Sequence, residues 1–136
     1  MKYLALDCEF TGLLPGVHNL LTAAFIVAEE DGTIVDTLDL AVLPDDSPRG
    51  RGNYNVCMDA MRVNQIDLIR HDEVAYTREE ATKLLKAFLK KHTDPEASIM
   101  YMNSGIDYPV LPFGYLIPLG HNMNLDIQFI KLYFKD

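Results

Sequence analysis

Residues 3–13 read Tyr3-Leu4-Ala5-Leu6-Asp7-Cys8-Glu9-Phe10-Thr11-Gly12-Leu13, and this stretch decides the fold. Apolar and aromatic residues open a strand, two acids interrupt it, and a glycine ends it. Side chains two apart on a strand share a face, so Asp7 and Glu9 point one way and Cys8 points the other. Two carboxylates aimed at one place suit a hard divalent cation, which takes oxygen ligands. Spacing alone does not single them out. With 20 acids in 136 residues, an acid-x-acid pair arises by chance roughly three times. Glu29/Asp31 and Asp94/Glu96 are two such pairs, one at a turn and one beside Pro95, where solvated charge explains them. Asp7 and Glu9 instead end an apolar strand, where acids are costly unless something binds them.

Working outward, residues 3–10, 20–28 and 33–42 are short, rich in β-branched or aromatic residues, and separated by turn chemistry at Gly12, Pro15, Gly16 and Glu30-Asp31-Gly32. They predict an antiparallel meander. Residues 44–52 (PDDSPRGRG) are a surface loop by composition. Thr77-Arg78-Glu79-Glu80 is a capping box, and Ala81, Leu84, Leu85, Phe88 and Leu89 follow at helical spacing with lysines opposite, which predicts an amphipathic helix against the sheet. A shorter helix is expected over 56–64 and a strand over 98–102, while 110–119, broken by Pro112, Gly114 and Pro118, stays unassigned. Residues 124–134 predict a last helix with Asn122 or Asn124 as N-cap. Its Leu125, Ile127, Phe129, Ile130, Leu132, Tyr133 and Phe134 read as apolar on nearly all sides, so a second subunit or further chain is expected to cover it.

The composition, 49% hydrophobic and 24% charged over 136 residues, describes one globular domain spanning 1–136. A net charge of −8 carries no basic footprint, so a polyanion partner needs cations to bridge it. Cys8 and Cys57 form neither a disulfide framework nor a metal knuckle and suit a reducing cytosol. No signal-peptide core or membrane-length apolar run is present in the sequence, so a cytoplasmic protein with no membrane partner is expected.

Asp7-Cys8-Glu9-Phe10-Thr11-Gly12-Leu13 resembles the first motif of the DEDD exonucleases, Asp-x-Glu-x-Thr-Gly-Leu, at all five specified positions. Gly120-His121-Asn122-Met123-Asn124-Leu125-Asp126 resembles the family's second motif, His-Asn-x-x-x-Asp at a helix start. Between them, Asn64-Gln65-Ile66 is similar to the family's Asn-Gly-Ile segment, with Gln65 in place of glycine. The resemblance implies an α/β, ribonuclease-H-like mixed sheet with flanking helices, incomplete at its C-terminal end. It implies that Asp7, Glu9 and Asp126 are catalytic and bind two Mg2+ or Mn2+ ions, which orient a terminal phosphodiester and stabilise charge on the attacking water and leaving oxygen. Thr11, Gly12, Leu13 and Asn122 would then lie where the last nucleotide rests. Asp126, in the first turn of a helix, is also expected to have its carboxylate form favoured by the helix dipole.

The family's third motif, a histidine or tyrosine followed by a fourth aspartate, has no match. His18, His71, His92 and His121 all lie upstream of Asp126, and Asp136 follows it too closely. The expected function is therefore metal-dependent 3'-to-5' hydrolysis of phosphodiester bonds at single-stranded RNA or DNA 3' ends, with a homo-oligomer or second chain expected to complete a chain that lacks the base and fourth acid. The alternatives are an exonuclease-like module that binds nucleotides or a protein without catalysis, and an unrelated α/β metal-binding or phosphatase domain. Tyr101, Tyr108, Phe113 and Tyr115 read as core before base-stacking platform, Arg49 and Arg51 as solvated loop charge, and Cys8 as a buried thiol.

Overall fold

The computed structural model describes residues 2–92, 117–119 and 123–134. The meander forms as expected: β1 (Lys2–Phe10), β2 (Leu20–Glu29) and β3 (Ile34–Ala41) pair antiparallel in sequence order. A short β4 (Ile117–Leu119) joins the far side of β1 in parallel, with Tyr3 opposite Ile117 and Ala5 opposite Leu119. The order β3-β2-β1-β4 places the acid-bearing strand inside the sheet. The sheet is thus mixed, and the α/β class expected from the sequence holds. The strand expected over 98–102 lies outside the described residues.

Register explains the core. Leu4, Leu6 and Cys8 stand opposite Val27, Phe25 and Ala23, and directly paired residues share a face. All six are buried, whereas Asp7 and Glu9 on the other face are exposed. Among the described residues four helices accompany the sheet: α1 (Met58–Asn64), α2 (Leu68–Val74), α3 (Arg78–His92) and α4 (Met123–Tyr133). Helix α3 starts at the capping box, where the Thr77 N–H donates to Glu80 Oε1 at 3.2 Å and the Glu80 N–H donates to Thr77 Oγ1 at 3.3 Å. Its Ala81, Leu85, Phe88 and Leu89 join the same core, and His92 Nε2 meets Asp36 Oδ2 at 2.8 Å on β3.

The last helix corrects the sequence reading. Ile127, Phe129, Ile130, Tyr133 and Phe134 are all at most 5% exposed within this chain. Phe129 stacks on Phe10 with ring centroids 4.1 Å apart, and the Tyr133 hydroxyl donates to the Leu43 carbonyl at 2.5 Å. Asn124, Gln128 and Lys131, at positions i, i+4 and i+7, form an exposed polar stripe that a count of apolar residues overlooked. Leu132 is the one large apolar side chain of α4 left exposed among the described residues. The apolar face thus needs no second subunit to cover it.

Candidate active site

Strand β1 carries Asp7 and Glu9 on its open face, and α4 carries Asp126 in its first turn. Asp126 is buried, at 5% exposure. The three carboxylates share one electrostatic field. Burial first, then the charges of Asp7 and Glu9, push the Asp126 carboxyl up to about 6. Burial first, then Asp7, also raises Glu9. The helix-dipole expectation for Asp126 is outweighed. A dipole contribution is about 0.3–1 kcal/mol, whereas a rise from 3.8 to about 6 corresponds to at most roughly 3 kcal/mol, or 1–2 after solvent screening.

Among the described residues, none of the three side chains is in a hydrogen bond or ion pair, so their repulsion has no compensating cation or donor. Nor, among those residues, do three His, Cys, Asp or Glu side chains converge closely enough to hold a single metal ion. Cys8 sits behind the acids with its thiol pushed far up, by burial first and then by Asp126, Asp7 and Glu9, which leaves it an inert core residue as expected.

Beyond Glu9 the chain builds a cleft of about 350 Å3, lined by Glu9, Phe10, Gly12, Leu13, Cys57, Asp59, Ala60, Val63 and Asn64. Leu13 and Val63, 70% and 83% exposed, form apolar lips on its two sides. Gly12 is glycine for a local reason: a Cβ there would run into the His18 ring, whose Nδ1 accepts from the Leu14 N–H at 3.2 Å. Thr11 is fully buried and ties loops together instead of facing the cleft. Its hydroxyl donates to the Asn55 carbonyl at 2.6 Å and accepts from the Asn19 N–H at 2.8 Å. Asn122 lies outside the described residues.

Sequence reasoning missed the α1 side of this cleft, although its signal was the segment between the two motifs. Asn64 Nδ2 donates to the Phe10 carbonyl at 2.9 Å, and its Oδ1 accepts from the Ile66 N–H at 2.9 Å, so it pins the end of α1 to the end of β1. Gln65 follows with φ 55°, in the left-handed region that glycine adopts without a Cβ penalty. That explains physically why glycine would be preferred at this position.

The fold, a mixed sheet with two acids on an inner strand and a third on a following helix, is similar to that of solved exonuclease structures. The particular structures it is similar to are those of exonuclease I. The E. coli enzyme in complex with a dT13 oligonucleotide superposes with a TM-score of 0.66 at 13% identity, covering 98% of this chain and 23% of that one. The metal-free form of the E. coli exonuclease I–ssDNA complex gives 0.57 at 15%, covering 96% and 23%. Exonuclease I in its apo form gives 0.57 at 12%, covering 88% and 28%. The chain therefore spans about a quarter of the length of these proteins. No protein-family model and no curated protein matches the sequence.

Proposed function

We propose that this chain carries the metal-binding half of a 3'-to-5' exonuclease site acting on single-stranded nucleic acid. The observation that carries the reading is the field of Asp7, Glu9 and Asp126, uncompensated among the described residues, beside an apolar-lipped cleft. Three hard oxygen donors with no cationic partner among the described residues are the donor set that Mg2+ or Mn2+ prefers. Ions about 3.5–4 Å apart in a two-metal site spread their ligands over more space than one ion does, which suits acids that do not meet at one point. When bound, the ions would supply charge stabilisation for both the attacking and the leaving oxygen.

The chain's own residues do the rest. Asp7 and Glu9, on an inner strand, would hold the ions together with Asp126 from α4. Leu13 and Val63 offer apolar surface to a terminal base. The oligonucleotide and ssDNA complexes of the similar exonuclease I structures support a single-stranded partner, and RNA and DNA 3' ends are both within the proposal.

A second reading is a binding module without catalysis. It is favoured by one observation: no described histidine serves the acids. His18 lies on Gly12, His71 Nε2 meets the Val42 carbonyl at 2.8 Å, and His92 meets Asp36. Hydrolysis of a 5'-labelled single strand, as RNA and as DNA, with Mn2+ or Mg2+ separates the two. The proposal expects shortening from the 3' end that requires metal and disappears in Asp7→Asn. Metal-dependent binding without any shortening would establish the second reading, and neither binding nor shortening would defeat both.

A further inference from the structure

The segment 53–57, which leads into α1, has no regular secondary structure of its own, and α1 begins without a side-chain cap. What fixes it is a set of alternate backbone donors, as on an extended strand whose every second N–H faces the same side. The Asn53 N–H donates to Ser47 Oγ at 3.2 Å, the Asn55 N–H to Asn19 Oδ1 at 2.7 Å, and the Cys57 N–H to the Thr11 carbonyl at 2.6 Å. The middle acceptor is a side chain standing where a partner strand would present a carbonyl.

Asn19 is itself held on both sides of its peptide. Its carbonyl accepts from the Thr11 N–H at 2.9 Å and its N–H donates to Thr11 Oγ1 at 2.8 Å. Asn55 completes the knot by donating from Nδ2 to the Val17 carbonyl at 3.0 Å. The loop that carries Gly12 and Leu13 is thereby joined to the segment that carries Cys57 and starts α1. Those are the two walls of the cleft beside Glu9.

We propose that Asn19 is a positioning residue that sets the width of this cleft, its Oδ1 locking the Asn55 N–H so that the α1 wall stays opposite Leu13. The proposal rests on reading the cleft as the seat of a terminal nucleotide. A carboxylate at position 19 keeps the acceptor, whereas leucine keeps the shape and removes it.

The test uses the full chain as wild type, Asn19→Asp and Asn19→Leu, with Asn19→Ala added should the leucine variant fail to fold by circular dichroism. Two readouts are taken. One is amide hydrogen exchange at Asn55 and Cys57. The other is the Kd of a 5'-fluorescent single-stranded oligonucleotide with Mg2+. Asn19→Leu is expected to accelerate exchange at both amides and to weaken binding by about tenfold, the order that follows from misplacing one wall of a preorganised site. Asn19→Asp is expected to restore both. Unchanged exchange in Asn19→Leu would overturn the lock itself. Faster exchange with an unchanged Kd would overturn its role in positioning. A wild type with normal exchange protection and no oligonucleotide binding would instead overturn the reading of the cleft on which the proposal rests.

Discussion

Replacing Asp126 by asparagine should make the metal-free protein more stable above pH 7, although it removes a residue of the proposed site. Asp126 is 5% exposed, lacks a partner among the described residues, and lies in the field of Asp7 and Glu9. Its carboxyl is raised from 3.8 to about 6, so the folded state holds the proton more tightly than the unfolded state does. The associated stability is fully present below the unfolded value of 3.8, declines as pH rises toward 6, and is absent above it. The full conversion is roughly 3 kcal/mol, and screening at a site that opens to solvent reduces it to roughly 1–2 kcal/mol. Asparagine keeps the shape without the charge. For a chain of this size 1 kcal/mol moves Tm by about 3–4 °C. Thermal melts in EDTA should therefore place Asp126→Asn about 3–8 °C above wild type at pH 8, with the difference shrinking toward zero at pH 4. A variant no more stable than wild type at pH 8, or one whose gain is the same at both pH values, would refute the claim that an uncompensated charge at Asp126 opposes folding.

Gln65→Gly should raise stability by about 0.5–1 kcal/mol in urea unfolding, because φ 55° is a left-handed conformation that a Cβ disfavours, while Gln65→Val should lower it. Gly12→Ala should destabilise the chain by about 1–3 kcal/mol through overpacking against the His18 ring, and most of that loss should return in the double variant with His18→Ala. Tyr133→Phe removes the donor to the buried Leu43 carbonyl and should cost about 1–3 kcal/mol by thermal denaturation. Thr77→Ala, which opens the capping box at α3, should cost about 1 kcal/mol by the same assay.

The elements legible in the sequence were those with a strong period or a local chemical signature. Strands β1 and β2 alternate between buried and more exposed positions along most of their length, and the capping box announced α3 because both of its reciprocal bonds are local. Helix α2 went unread. It is seven residues long, buries only His71, and exposes Ile69 and Val74, so no apolar face marks it. Its one signal was the cap: Asp67 Oδ1 accepts from the Ile69 and Arg70 N–H groups. Strand β4 was hidden because its three residues contain Pro118, and a parallel partner distant in sequence leaves no turn signature. On α4 the apolar count obscured the polar stripe of Asn124, Gln128 and Lys131.

For the site, the facing of Asp7 and Glu9 followed from strand alternation alone, and the buried, inert state of Cys8 followed with it. The raised carboxyl of Asp126 did not, because the helix dipole is a sequence-local effect whereas burial and like charge arise only on folding. Thr11 was legible as a motif position but not as a buried tie between three loops, since its partners Asn19 and Asn55 lie 8 and 44 residues away. The α1 wall of the cleft was equally non-local.

The central claim is that Asp7, Glu9 and Asp126 form a divalent-metal site, and Mn2+ binding followed by electron paramagnetic resonance tests it most directly. Two ions bound per chain in the wild type, with at least one lost in each of Asp7→Asn and Asp126→Asn, is the predicted result. Binding that is absent in a folded wild type, or that survives both substitutions unchanged, would contradict the account.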